Sequence, residues 1–122
     1  MNASKRDQSL LLHMLDYCLQ IEATVAHFGD DKSLFDESFI YQNAVAMCLM
    51  QIGELAGLLS ESYRLEHTGM PWRQIRALRN IIAHNYGSVD KQTAWEIVHD
   101  DIPALKKYCE AEVAGMDDKD PS

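Results

Sequence analysis

Apolar residues recur at steps of three and four along almost the whole chain, and this spacing predicts four helical segments. The first runs from about Lys5 to Phe28, with Leu11, Leu15, Cys18, Ile21, Val25 and Phe28 on one stripe, and Gly29-Asp30-Asp31 ends it. Ser33-Leu34-Phe35-Asp36 reads as the N-terminal cap of a second helix, from about Asp36 to Ser60. Its apolar positions (Phe39, Ile40, Val45, Met47, Cys48, Ile52, Leu55, Leu58 and Leu59) form a surface broad enough for more than one neighbour. A broken stretch follows from Ser62 to Met70. Pro71 is suited to open a third helix, where its missing N–H is not needed, with Trp72, Ile75, Leu78 and Ile82 on one side and Gly87-Ser88 at its end. Asp90 then caps a fourth, seamed by Trp95, Val98, Ile102, Leu105 and Cys109, in which Pro103 should kink or restart the helix. Gly115 to Ser122 reads as a disordered acidic tail after a domain of residues 1–114. No run alternates as a strand would, so the expected fold is all-α, an up-down four-helix bundle.

Composition narrows the function. At 122 residues the chain has room for one core. A formal charge of −8 argues against sequence-blind binding of nucleic acid, which needs a basic face, while leaving room for a local phosphate site. Cys18, Cys48 and Cys109 have neither CxxC nor CxxH spacing and fall at apolar helical positions, so they read as buried thiols, not as metal ligands or a disulfide framework. His13, His27, His67 and His99 are too scattered for a metal site. No basic start precedes an apolar run, and no window approaches the ~18 apolar residues of a membrane span, so a cytoplasmic protein is expected.

Charge is distributed unevenly. No Asp or Glu occurs between His67 and Val89, and Arg73, Arg76 and Arg79 make that window basic in an acidic chain. On a helical wheel with Trp72 at zero, Arg76, Asn80, Arg73 and His84 fall within about 40–120°, one polar stripe. Leu78, Ile82 and Ile75 fall at about 240–300°, on the opposite side. Arg79 diverges from His84 by about 140°. A site built from both therefore needs either a helix that stops before His84 or a second copy of the chain, since a two-fold contact is reciprocal.

An arginine is a permanent forked cation suited to phosphate, and a histidine moves protons near neutral pH. Together they fit metal-free RNA cleavage, in which a base takes the 2′-OH proton and the arginine steadies charge on the phosphate oxygens. Plainer readings stand beside this one. A histidine near a helix end often caps carbonyls, arginines are often solvated, and Asp90 is a cap first. Trp72 and Trp95 read as core anchors, and Tyr86 as a half-buried aromatic. Glu54, in an apolar stretch after Gly53, needs a partner such as an arginine.

Arg79-Asn80-x3-His84-x-Tyr86 resembles the signature of the HepT-like branch of the HEPN superfamily. Ile52-Gly53-Glu54, Trp72, Val89-Asp90 and Trp95 extend the match, which covers about residues 5–113. The resemblance implies an all-helical homodimer acting as a metal-independent ribonuclease toxin that needs no cofactor. By it, Arg79 and His84 are the catalytic pair and Asn80 supports their geometry; the basic window itself adds Arg73 and Arg76 as candidates to meet RNA phosphates. It further implies a partner, a minimal (MNT-type) nucleotidyltransferase antitoxin that attaches AMP to Tyr86. Phosphates placed there would occupy the substrate's position and repel RNA. The rivals are a non-catalytic module that binds a nucleotide or a partner through the same groove, and a structural bundle dimerising through its broad second helix.

Overall fold

The computed structural model describes residues 4–84 and 91–119, with the backbone alone for 81–84 and 116–119. The order of elements is α1 (Lys5–Phe28), α2 (Lys32–Glu37), α3 (Phe39–Leu58), α4 (Glu61–Glu66), α5 (Trp72–His84), α6 (Lys91–Glu96), a π-helical turn (Ile97–Asp101) and α7 (Ile102–Lys119). No strand occurs among the described residues. The fold is all-α, as the apolar spacing predicts. Ile82, Gly87-Ser88 and Asp90, expected to pack, end and cap helices, lie outside the described side chains or residues.

The predicted second helix is two helices. Ser38 is extended at φ −119°, ψ 110°, and its hydroxyl accepts from the Tyr41 N–H to cap α3. The preceding cap is Asp31, not Ser33: the Asp31 carboxylate accepts from the Ser33 N–H at 2.8 Å and starts α2. Ser38, a short polar side chain that competes with helical backbone bonds, thus interrupts what periodicity alone reads as one stretch. The same chemistry makes α4, capped by Ser60, inside the stretch expected to be irregular. Pro71 precedes α5, and its carbonyl accepts from the Ile75 N–H. Pro103 acts as anticipated: the chain widens into the π turn, with Ile102 N–H donating to Ile97 O, and regular helix restarts. The wider turn spares the proline ring a clash with the carbonyl four residues back. α7 continues through Gly115 to Lys119, past the point where a tail was expected.

Four long elements make the bundle. α5 packs on α3, α3 on α1, and α1 on α7. Leu11, Met14, Cys18 and Ile21 of α1 meet Val45, Cys48, Leu49 and Ile52 of α3 and Ile102, Leu105 and Cys109 of α7 in the core. All three cysteines are buried and unpaired, and burial pushes the Cys18 and Cys109 thiols up to about 12, so they act as small apolar groups. A cavity of about 430 Å³ separates Ile75 and Leu78 of α5 from Ile102 and Leu105 of α7, so α5 takes its position mainly from α3.

Polar contacts fasten both ends. Asp7, 2% exposed, accepts from the Ser60 N–H at 2.9 Å, the Ser60 hydroxyl at 2.7 Å and the Ser4 hydroxyl at 3.0 Å. It thereby joins the start of α1 to the start of α4. Tyr63 O–H donates to Glu112 at 2.7 Å and meets the Tyr108 hydroxyl, while Trp72 Nε1 donates to His67 O at 2.8 Å and seats the first turn of α5. At the other end, His99 bridges Trp95 O at 2.9 Å and the Asp30 carboxylate at 2.6 Å, tying the π turn to the α1–α2 corner.

Burial acts to raise the Asp7 pKa, but the bonds from Ser60 and Ser4 outweigh it and hold the carboxyl below its usual range. A carboxyl lowered on folding stabilises above its unfolded value of ~3.9 and loses that contribution as pH falls through the folded value. Asp7→Ala is therefore expected to cost about 2–3 kcal/mol at pH 7, leaving two Ser60 donors unsatisfied. The difference from wild type should shrink well below pH 4. Urea unfolding at pH 7 and pH 3 checks both values; an equal cost at the two pH values would remove the charge from the explanation.

Candidate nuclease site

Arg79 lies on the inner side of α5, about 20° from Trp72 and 40° from Ile75 on the wheel, and both of those are buried. Its guanidinium nevertheless reaches solvent, because its backbone rests on a glycine. A Cβ built on Gly53 would stand 2.5 Å from Arg79 N and 3.1 Å from both Arg79 Cβ and Ile75 O. Only glycine permits this approach of α3 to α5. The Arg79 side chain leaves the seam half exposed (51%).

Outside the seam Arg79 Nε donates to Glu54 Oε2 at 3.0 Å, and Nη1 donates to Asn80 Oδ1 at 3.3 Å. Glu54 thus has the arginine partner its position calls for. An arginine has five N–H donors, so these two bonds leave three for an anion. One turn away, Gly57 supports Arg76: a Cβ there would lie 3.5 Å from Arg76 Cγ and Nε, an ordinary contact. Arg73, Arg76, Arg79 and Asn80 are all exposed. Arg76 and Arg79 share the α3 seam, whereas Arg73 lies a turn earlier on the outer stripe.

The backbone of α5 is helical through His84. In a regular helix the five-residue step keeps Arg79 and His84 about 140° apart, so an early helix end does not bring them together. The His84 side chain and all of Tyr86 lie outside the described residues. Among the described residues no group of three His, Cys, Asp or Glu could hold a metal ion, and no helix is long and apolar enough to cross a membrane. Gly53 under Arg79 and Gly57 under Arg76 escaped the residue-by-residue reading. The Gly53-x3-Gly57 step on one helical face was the available signal, because it marks where another backbone can come close.

Beside these four α5 residues, α3 carries an apolar face that the other described residues leave exposed. Phe39, Ile40, Met47 and Leu58 are 71, 58, 43 and 43% exposed. On the α3 wheel these four span about 100°, with Glu54 inside the arc. The Arg79–Glu54 pair therefore borders the apolar face.

The family described as "Ribonuclease HepT-like" matches residues 14–112. A protein of Methanocaldococcus jannaschii, named as a candidate RNase, is 31% identical over 109 residues, 88% of this chain and 97% of the relative. A second from that organism, named likewise, is 27% identical over 117 residues, 95% of each chain. A Thermococcus cleftensis protein, named as a candidate ribonuclease HepT, is 35% identical over 65 residues, 53% of this chain and 59% of its own. No solved structure matches. With the family's span covering nearly all of the bundle, and the signature arginine and asparagine joined on the exposed edge of α5, the chain belongs to the HepT-like ribonuclease family of the HEPN superfamily.

Proposed function

We propose that this protein is a metal-independent ribonuclease toxin whose site is completed by a second copy of the chain, Arg79 of one copy facing His84 of the other. The observation that carries the reading is the setting of Arg79. It is anchored through its backbone on Gly53 and through Nε on Glu54, with three N–H donors beyond its two bonds, in a chain of the HepT-like family. The exposed apolar face of α3, bordering that pair, offers a surface for a two-fold contact to bury.

In the proposed reaction neutral His84 takes the proton of a ribose 2′-OH. The oxygen attacks the adjacent phosphorus, and the bond to the 5′-oxygen breaks. The histidine's proton then passes to that leaving oxygen. The products are a 2′,3′-cyclic phosphate and a 5′-hydroxyl. Arg79 holds the non-bridging oxygens while charge builds on them, and Arg76 on the same seam receives a neighbouring phosphate. Arg73, further out, has the smaller part. The proposed partner is a nucleotidyltransferase antitoxin that silences the toxin by adding AMP to Tyr86, two residues beyond the base.

The test is cleavage of labelled RNA in EDTA by protein made without the partner. Wild type should cleave and leave 2′,3′-cyclic ends, and His84→Ala should lose at least about 10²-fold. Nucleotide binding without cleavage, by protein shown to be unmodified at Tyr86, would favour a binding module. Equal cleavage by both proteins would remove His84 from the mechanism.

A further inference from the structure

The structure assigns Glu54 a role in the reaction as a positioning residue: it fixes the Arg79 guanidinium by its Nε edge, so that the Nη edges face an incoming phosphate. This rests on the ribonuclease reading above and adds a residue from a different helix to it. Three observations lead to it. Glu54 and Arg79 are both 51% exposed, and an ion pair so open contributes little to stability. Its consequence is therefore orientation more than stability. Next, Glu54 follows directly on Gly53, whose contact with the Arg79 backbone fixes where the arginine stem begins, so both ends of the side chain are set by consecutive residues of α3. Finally, the carboxylate takes Nε, the one N–H that a phosphate meeting the Nη1–Nη2 edge does not need, and Asn80 takes a single Nη1 hydrogen.

Coulombic repulsion of the phosphate and positioning of the arginine predict opposite effects of removing Glu54. A carboxylate beside the site repels phosphate, so its removal should leave KM unchanged or lower it. If Glu54 orients the catalytic arginine, the same removal lowers kcat, because misplacement by about 1 Å can cost ~10²-fold. A residue important only for folding would not give this split.

The experiment compares wild type, Glu54→Ala and Glu54→Gln for RNA cleavage and for thermal unfolding. Glu54→Ala should keep its melting temperature, lose roughly 10- to 100-fold in kcat and show no rise in KM. Glu54→Gln keeps an acceptor for Nε and should recover most of kcat. An unchanged or raised kcat in Glu54→Ala, or a Gln variant no better than Ala, overturns the assignment. Should wild type prove inactive on every RNA, the ribonuclease reading fails separately, and the Nε–H resonance of Arg79, identified with Arg79→Lys, becomes the readout. Slow exchange in wild type that is lost in Glu54→Ala keeps the positioning contact; identical exchange in both overturns it.

Discussion

A dimer that pairs one Arg79→Ala subunit with one His84→Ala subunit is expected to cleave RNA at about half the wild-type rate, although neither variant is active alone. The reason is geometric. α5 is helical through His84, so the two residues leave its axis about 140° apart and are displaced by roughly 7.5 Å along it. If the site joins the arginine of one copy to the histidine of the other, two-fold symmetry creates two such sites. In the mixed dimer one site receives both lesions and the other receives neither. Differently tagged copies, co-expressed and purified through both tags, would supply the material. The reciprocal dimer sharpens the result: wild type paired with a subunit carrying both substitutions has one lesion in each site and should be nearly inactive. A site contained within one chain reverses both outcomes, giving an inactive first dimer and a half-active second. Since each lost group is expected to cost about 10²-fold or more, the two arrangements differ by far more than assay error.

Much of this was readable from residue order, for physical reasons. The α1 stripe and the α7 seam hold because a buried helix face must repeat near 3.6 residues. Leu11, Cys18 and Ile21 are buried as their spacing requires, and so are Ile102, Leu105 and Cys109. Pro103 announced the interruption before α7, though not that it would take π form. The division at Ser38 was hidden, because apolar spacing runs on through a capping residue whose effect is one hydrogen bond. On α5 the wheel set Arg79 about 140° from His84, yet it could not show what holds an arginine at that angle. The answer lies on another helix. Gly53 makes the room and Glu54 draws the charge out, and a contact across 25 residues of sequence leaves no periodic trace. Its pairing was foreseeable only as a need: a carboxylate at Glu54, amid apolar neighbours, wants a cation.

Gly53→Ala should be far more damaging than the same change at Gly57, the other glycine of α3. The new carbon would meet Arg79 N at 2.5 Å and Ile75 O at 3.1 Å, both backbone atoms of a helix, so no side chain can swing aside. α5 itself must retreat, and with its cavity side facing α7 it has room to do so at the expense of its packing on α3. Overpacking of this kind costs about 1–3 kcal/mol, which the better helix propensity of alanine offsets by only ~0.5–1 kcal/mol. The effect on cleavage should exceed the effect on folding. A retreat of about 1 Å carries the Arg79 stem away from Glu54 and from the phosphate position, and a shift of that size can lower kcat ~10²-fold. Gly57→Ala is the control. Its methyl would meet only the Arg76 side chain, at 3.5 Å, so the helix-propensity gain should dominate and stability should hold or rise. Urea unfolding and kcat measured on both variants give the comparison. Were Gly53→Ala as stable and as active as Gly57→Ala, the close approach of α3 to α5 would not be what sets Arg79, and the glycine would matter only to its own helix.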